Sequence, residues 1–494
     1  MLRWSPPLNP PAEIDLENDN LPGVDIVITT YKEDIDEIAG TVNAALDIEW
    51  PYAHIYVLDD ADREDVAVLC SSSSGRHRLT HITRCCNDGR KGGNINHWLK
   101  LRHDPNPYFI TLDADMRPFP HCVQYFFSFI ETLDMEEKEM LGFVQTPQFF
   151  RNYAADGDVF DVCNMHFIKT IAPAMSKMKT MPYVGTGALW NRQAITKSGY
   201  FFENHATEDV VTGCRVHRER FNSYFLAQPI AAGISPRTLP QLIDQHIRWD
   251  TGLVQMTFYH RFFLFARGLK WRQRLAYLGT CGGWIFSLIH YTTIVGTTLV
   301  ANITIAIHPA PFSWTHLASI PLFLVGFCAW LLNPGASMMQ RYRGLRMSFV
   351  YWPGTLVALW NAISRKRVKT SSESRRERFH PVMVFHVLVL AALVGSSIFA
   401  ITTLNPIACV QGGVCIVVWL LIAWPIFVSI LGGANHEATQ WTEDEQNRPN
   451  LNFQTFSNED EKRALVQMKQ ALVEIQKRIQ VMENRKSRKS LNAT

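Results

Sequence analysis

Residues 108–115 read YFITLDAD, an apolar run that closes on two aspartates with one alanine between them. A short apolar run bounded by a polar turn predicts a buried strand. Two similar stretches lie upstream. VDIVITT at 24–30 ends in a polar turn and leads into the helix-like EDIDEIAGTVNAAL, and HIYVLDD at 54–60 ends in a second aspartate pair. Strands alternating with helical segments predict an α/β fold built on a doubly wound, mostly parallel sheet. In such sheets ligands sit at the carboxyl ends of the strands. All three polar clusters fall at those ends.

Outward from this core the chain changes character. Its 494 residues leave room for a domain of about 250 residues and more besides. A net charge of +3 and a hydrophobic share of 47% average over two unlike halves. Residues 1–270 have the mixed composition of an aqueous domain, whereas 275–433 hold several apolar runs near bilayer-spanning length. Residues 1–22 are Pro-rich, lack the apolar centre of a secretory signal and read as an unstructured leader, which places the first domain in the cytosol. Ten cysteines without regular spacing, Cys85 and Cys86 among them, predict reduced thiols rather than a disulfide framework or a zinc site. Nothing in the near-neutral charge points to nucleic acid.

The apolar candidates are 276–306, 315–333, 345–362, 381–404 and 411–433. The third is broken by Pro353 and runs into SRKRVKTSSESRRER at 364–378, the most basic stretch of the chain. Were it a span, that loop would face away from the cytosol, against the positive-inside rule. An interfacial helix at 345–362 leaves four spans and keeps every basic loop cytosolic. The expected division is an aqueous domain at 23–270, a transmembrane domain at 271–434 and a cytosolic tail at 435–494. In the tail, Leu465, Met468, Leu472, Ile475, Ile479 and Met482 form a short apolar seam within a helix expected at 461–484. The seam at 465–482 suits either a homo-oligomer contact or an amphipathic helix lying on the domain or the membrane.

Four motifs carry chemistry. Asp113 and Asp115 suit Mg²⁺ or Mn²⁺, because such a cation takes a few carboxylates together with substrate phosphates and water. Alone, each acidic pair would be a solvated turn. Asp60, beside Asp59, is expected on the neighbouring strand end, near a nucleoside. GRKGGNINH at 89–97 offers Lys91 to a phosphate and two glycines for close backbone approach, though by itself it reads as a surface turn. HATEDVVTG at 205–213 puts Glu208 and Asp209 at a helix start, where Thr207 would be an N-cap and the acids ordinary first-turn residues; the functional alternative is Asp209 as a general base. QLIDQHIRWDTG at 241–252 sets Gln245, Arg248 and Trp249 on one helix face. A Trp and an Arg there are either interfacial anchors or a diphosphate contact beside a platform for a sugar ring.

In this order, Asp-Asp, Asp-x-Asp, Thr-Glu-Asp and Gln-x-x-Arg-Trp, followed by membrane segments, resemble the processive family-2 glycosyltransferases, nearest the cellulose synthases and cellulose-synthase-like β-glucan synthases. VDIVITTYKED, KGGNIN, FVQTPQFF and YVGTGALWNRQA resemble further elements of that family, and the likeness covers roughly 24–430. It implies a GT-A type catalytic domain. Thr30, Tyr31, Glu33, Asp60 and Lys91 would contact UDP. Asp113 and Asp115 would hold the diphosphate and its metal, and Asp209, beside Glu208, would be the base. Gln245 and Arg248 would bind pyrophosphate, and Trp249 the end of the growing chain, with Gln145, Gly185 and Thr186 in segments lining the acceptor channel. The reaction would be inverting, giving a β-linkage, and the polymer would leave through the membrane helices, with the plasma membrane as the expected location.

The chain departs from the family in three ways. No membrane helix is read ahead of the catalytic domain. KRVKTSSE at 366–373 stands in place of a Phe-x-Val-Thr-x-Lys gating segment, and the tail replaces a cyclic-dinucleotide-binding barrel. Asp209 is followed by Val210 and Gln245 by His-Ile, which favours UDP-glucose over the chitin- and hyaluronan-type patterns. Another β-linked polymer (chitin-, hyaluronan- or mannan-like) and a non-catalytic scaffold are the competing readings.

Overall fold

The computed structural model describes residues 14–402 apart from 74–77, 85, 102–105, 152–159, 237, 259–265, 308–337 and 365–378, with scattered residues between 413 and 429. Strands β1 (Val24–Thr30), β2 (Ala53–Asp59), β3 (Leu79–Thr83) and β4 (Tyr108–Asp113) alternate with α1 (Ile35–Leu46), α2 (Glu64–Ser72) and α3 (Arg90–Leu101). Then come β5 (Arg117–Pro118), α4 (Cys122–Glu131), α5 (Met135–Glu139), β6 (Leu141–Gln145), β7 (Phe149–Phe150) and a π-helical turn, Phe167–Ile171. They are followed by α6 (Ala172–Lys177), β8 (Ala188–Asn191), α7 (Arg192–Lys197), α8 (Glu208–Arg218), β9 (Asn222–Phe225), β10 (Ala231–Gly233) and α9 (Leu239–Phe258).

Seven strands make one sheet in the order β3-β2-β1-β4-β8-β6-β9. The first four are parallel, β8 runs against β4 and β6, and β9 follows β6. The sheet is thus mostly parallel with one reversed strand. Strand order turns back between β1 and β4, the place where a doubly wound sheet opens a crevice. Register sets Thr30 beside Asp59 and Thr29 beside Asp113, so three polar strand ends share that crevice.

All seven residues of β1 are buried, as befits a strand covered on both faces. Val24, Ile26 and Ile28 pack with Ile38, Val42 and Ala45 of α1, while Val27 faces Leu58, Trp98, Phe109 and Trp190. Asp34 caps α1 by accepting the Asp36 N–H at 3.0 Å. The short strands β5, β10 and β7 form a second sheet beside the crevice.

Beyond α9 lie α10 (Trp271–Ile307), α11 (Met338–Ile363) and α12 (Pro381–Thr402). Among the described residues two helical stretches, Trp271–Thr304 and Pro381–Phe399, are long and apolar enough to cross a membrane. They coincide with the first and fourth apolar candidates. Helix α11 covers the candidate at 345–362 but begins earlier and continues through Pro353, so that proline does not break it. Burial explains the difference: Trp352, Pro353, Gly354 and Thr355 are all inside, and their packing outweighs the lost backbone bond. The candidates at 315–333 and 461–484, most of 411–433, the basic loop after Ser364 and the leader before Ile14 lie outside the described residues.

Helix α9 is bound to the later helices along one side. The Thr355 hydroxyl donates to Asp250 Oδ2 at 2.8 Å, His380 Nε2 lies 3.1 Å from Asp244 Oδ1, and a Cβ on Gly354 would come 3.0 Å from Ile247 Cγ1. The opposite side of α9 faces the crevice.

Candidate active site

At the end of β1 the chain turns back on itself. Glu33 Oε2 accepts the Thr30 hydroxyl at 3.1 Å and the Tyr31 N–H at 2.6 Å, while the Thr30 carbonyl accepts the Asp60 N–H at 2.9 Å. Thr30 is buried and the Tyr31 ring stays exposed at the rim. Asp59 is spent on local structure, accepting the N–H groups of Ala61 and Arg63 at 3.0 and 2.6 Å.

Asp60 is nearly buried and is held by a two-pronged ion pair with Arg84, whose Nη2 reaches Asp60 Oδ2 at 2.8 Å and whose Nε bonds Oδ1. The same guanidinium donates to the carbonyls of Asp88 and Arg90 at 2.6 and 3.0 Å, folding the following loop around itself. Arg84 was not among the residues singled out from sequence. Its signal, a lone arginine after a strand, becomes readable only once Asp60 is known to be buried.

The loop delivers Lys91 into the crevice. Rather than the surface turn that GRKGGNINH suggests in isolation, Arg90–Leu101 is helical from its first residues, with Gly92 and Gly93 buried. Both glycines are packed against the protein's own backbone: a Cβ on Gly92 would fall 2.4 Å from the Phe202 carbonyl oxygen, and one on Gly93 would fall 2.1 Å from that of Asp88. Lys91 Nζ donates to Asp113 Oδ1 and to the Gly185 carbonyl, the latter at 2.8 Å. Burial works to lower the Lys91 pKa, but Asp113, Tyr183 and Glu208 together outweigh it and the net shift is upward, so the amine stays cationic.

Asp115 lies two residues on, with Oδ2 accepting the Ile234 N–H at 3.2 Å. Burial, then repulsion from Asp113, pushes its pKa up to about 6. No group of three or more His, Cys, Asp or Glu side chains converges as a metal cage among the described residues. Two crowded carboxylates at one strand end nevertheless suit a Mg²⁺ or Mn²⁺ ion that draws its other ligands from water and phosphate. A cation there would relieve the like-charge repulsion that raises Asp115.

Opposite them runs the segment 183–187. Gly185 and Gly187 have φ of +96° and +66°, conformations that glycine adopts without strain. Gln145 holds this segment: its Nε2 donates to the Thr186 and Thr146 carbonyls at 2.7 and 3.0 Å, and its Oε1 accepts the Val184 N–H at 3.1 Å. Gln145 is wholly buried, and the Thr186 hydroxyl, also buried, accepts the Asp113 N–H at 3.1 Å. Their polar groups are committed inside the protein, and they position Gly185 and Asp113. Tyr183, also missed in the sequence, adds a buried hydroxyl on the Gly185 carbonyl and 3.0 Å from Thr111 Oγ1.

Asp209 closes over Gly185, where a Cβ would lie 3.2 Å from its Oδ2. Thr207 does occupy the N-cap position of α8, but its side chain makes no capping bond; its hydroxyl lies 3.3 Å from His205 Nδ1 and against Gly252 of α9. Burial, then the charge of Glu208, pushes the Asp209 pKa up to about 7. Burial likewise raises Glu208, and Lys91 and Arg248 oppose the shift at both acids. Arg248 and Lys91 are thus the cations of this acidic pocket.

Gln245, Arg248 and Trp249 are half-buried on the crevice side of α9, in line with Gly252. A Cβ at Gly252 would fall 2.4 Å from Thr207 Oγ1, so the two helices meet at closest approach there. The strand ends, the 183–187 segment, the start of α8 and the face of α9 enclose one crevice.

Residues 108–428 match the family model Glycosyl transferase family group 2, and residues 25–136 match Glycosyl transferase family 2. The chain is 29% identical over 293 residues to the cellulose synthase 1 catalytic subunit (UDP-forming) of Komagataeibacter xylinus, covering 58% of this chain and 38% of that protein. It is 28% identical over 275 residues to the cellulose synthase catalytic subunit (UDP-forming) of Pseudomonas fluorescens, covering 54% and 36%. The chain spans less than two fifths of the length of these curated relatives. A solved mannosyltransferase from Pyrobaculum calidifontis, in complex with GDP-Man and Mn²⁺, aligns over 74% of this chain and 91% of its own with a TM-score of 0.46 and 15% identity. With a family model matched over well more than half its length, the chain belongs to glycosyl transferase family group 2.

Proposed function

We propose that the chain is a processive, inverting glycosyltransferase that builds a β-glucan from UDP-glucose. The observation that carries this reading is the crevice in which Lys91 and Asp113, Asp115, Arg248 and the buried Asp209 converge at the strand ends. Its similarity to UDP-forming cellulose synthases supports the donor and the product.

Thr30, Tyr31, Glu33 and Asp60 take the nucleoside end of the donor, and Lys91, Gln245 and Arg248 take the diphosphate. Asp113 and Asp115 would hold a Mg²⁺ or Mn²⁺ ion, which supplies charge neutralisation as the nucleoside diphosphate departs. Asp209 removes the proton from the acceptor hydroxyl as its oxygen bonds to the anomeric carbon. The bond from that carbon to the diphosphate oxygen breaks at the same time, and its electron pair leaves with UDP. The acceptor attacks from the face opposite the leaving group, so an α-linked donor yields a β-linkage. With a pKa near 7, Asp209 is basic enough to accept the proton and still ionised in part at neutral pH. Trp249 gives the terminal sugar of the growing chain an apolar face to lie on.

The product would pass toward a multi-pass membrane domain that includes α10 and α12, with α11 in the interface and the catalytic domain and tail in the cytosol, at the plasma membrane. The direct test gives membranes containing the chain radiolabelled UDP-glucose with Mg²⁺ or Mn²⁺. The expected result is insoluble label released by a β-1,4- or mixed-linkage glucanase. Label transferred only from a different nucleotide sugar would overturn the glucan reading.

A further inference from the structure

We propose that His246 and Tyr351 form a positioning pair that sets the tilt of the Trp249 indole, and through it the grip on the growing chain. The proposal rests on the acceptor role given to Trp249 above. The His246 imidazole lies flat on the Tyr351 ring, with centroids 3.6 Å apart and planes 17° from parallel. It also meets Trp249, edge to face at 5.0 Å and 66°. Three rings therefore run in series from α11 to the crevice side of α9. The edge-to-face meeting with Trp249 is one that aromatic pairs favour and adds attraction beyond simple burial, whereas the His246 and Tyr351 rings lie nearly face to face in a tighter contact than the usual offset stack.

The setting makes this stack a rigid reference. On one side of His246 the neighbouring residue Ile247 meets Gly354, and Asp250 accepts the Thr355 hydroxyl, so α9 cannot slide along α11 without breaking both contacts. The carbonyl of Val350, adjacent to Tyr351, lies 2.9 Å from His386 Nε2 on α12. Burial holds His246 far on the neutral side, at about 3, so the stack joins uncharged rings. An indole on a helix face ordinarily has two soft side-chain torsions. Here one edge rests on a ring that is itself clamped between helices.

The consequence is specific to chain retention. Between additions the terminal sugar of the polymer rests on Trp249, whereas the donor is held by the strand-end groups together with Lys91, Gln245 and Arg248. Loosening the indole lets the polymer escape earlier without disturbing the donor site. Full-length chain in membranes is assayed for product length, for donor KM and for slow donor hydrolysis to free sugar. Tyr351→Leu and His246→Leu should shorten the mean product about three- to tenfold, the ratio expected from losing one aromatic contact, with donor KM and hydrolysis within twofold of the parent. Tyr351→Phe and His246→Phe retain a flat ring and should restore product length.

The controls separate failure of the pair from failure of the acceptor reading. If Trp249→Ala leaves product length unchanged, the acceptor assignment falls. If Trp249→Ala shortens the product and the two leucine variants do not, the positioning pair falls. Equal losses in elongation, hydrolysis and donor KM in the leucine variants, unrelieved by phenylalanine, would reduce the stack to ordinary helix packing and also overturn the proposal.

Discussion

Replacing Gly252 with alanine sets two effects of opposite sign against each other. Within a helix the change should stabilise by about 1 kcal/mol, because glycine loses more backbone freedom on folding. Against this, the new Cβ would lie 2.4 Å from Thr207 Oγ1, 2.5 Å from its Cγ2 and 2.9 Å from its Cβ. An ordinary carbon contact is about 3.5 Å, so α9 and the start of α8 must part by about 1 Å. Overpacking of that kind costs about 1–3 kcal/mol, which leaves the net change in stability small. Activity should respond far more. The displaced surfaces carry Arg248 and Trp249 on one side and Glu208 and Asp209 on the other, and a shift of about 1 Å in a reacting constellation costs about a hundredfold in rate.

The expected signature is a melting temperature within a few degrees of the parent with turnover down about a hundredfold, read by thermal unfolding and labelled-donor transfer. Thr207→Ala supplies the compensation. It deletes Oγ1 and Cγ2, leaving only the 2.9 Å contact, and should restore most of the turnover when combined with Gly252→Ala. Turnover of Gly252→Ala within threefold of the parent would refute the close approach as the reason for this glycine. So would a double variant as impaired as the single one, provided Thr207→Ala alone is near parental.

Other expectations follow from the same geometry. Asp209→Asn should lower transfer by about 10²–10⁴-fold while UDP affinity, measured by calorimetry, changes little. Because only ionised Asp209 accepts a proton, turnover should rise as pH increases through about 7, and a rate flat from pH 5 to 8 would contradict its role as base. Glu208 is the largest charge raising Asp209, so Glu208→Gln should move this acid limb to lower pH. Arg84→Met leaves the Asp60 carboxylate buried without its partner; breaking such a pair costs about 3–5 kcal/mol, visible as a lower unfolding midpoint and weaker UDP binding.

Sequence legibility followed the kind of interaction involved. The strand ends could be read because a buried parallel strand is an uninterrupted apolar run and its polar terminus is abrupt, as at VDIVITT and YFITLD. Gln245, Arg248 and Trp249 could be placed on one face because helical spacing is local. The internal partners of Gln145 and Thr186 could not be read, for the converse reason. A side chain's chemistry is visible in sequence, but what consumes it is not, and here the segment 183–187 consumes both. Arg84 and the His246–Tyr351 stack join positions 24 and 105 residues apart, which no local pattern reports. Pro353 shows the same limit for secondary structure, since burial against α9 overrides a residue that would end an isolated helix.

The charges of the crevice lead to one more expectation. Asp113, Asp115, Glu208 and Asp209 face two cations, Lys91 and Arg248, while Arg84 is already committed to Asp60. Fully ionised, the pocket is left with an excess of negative charge, and the upward shifts of Asp115, Glu208 and Asp209 are the response to that excess and to burial. A nucleoside diphosphate adds further negative charge to the same space. Donor and divalent cation should consequently bind as a unit, each improving the affinity of the other by the same factor. Calorimetric titration of UDP with and without saturating Mn²⁺, then of Mn²⁺ with and without UDP, measures both arms. The expected coupling is about 5–150-fold in each, and Asp115→Asn should shrink it. Equal UDP affinity with and without the cation would show that Lys91 and Arg248 balance the diphosphate alone, and the assignment of Asp113 and Asp115 to a metal would be withdrawn.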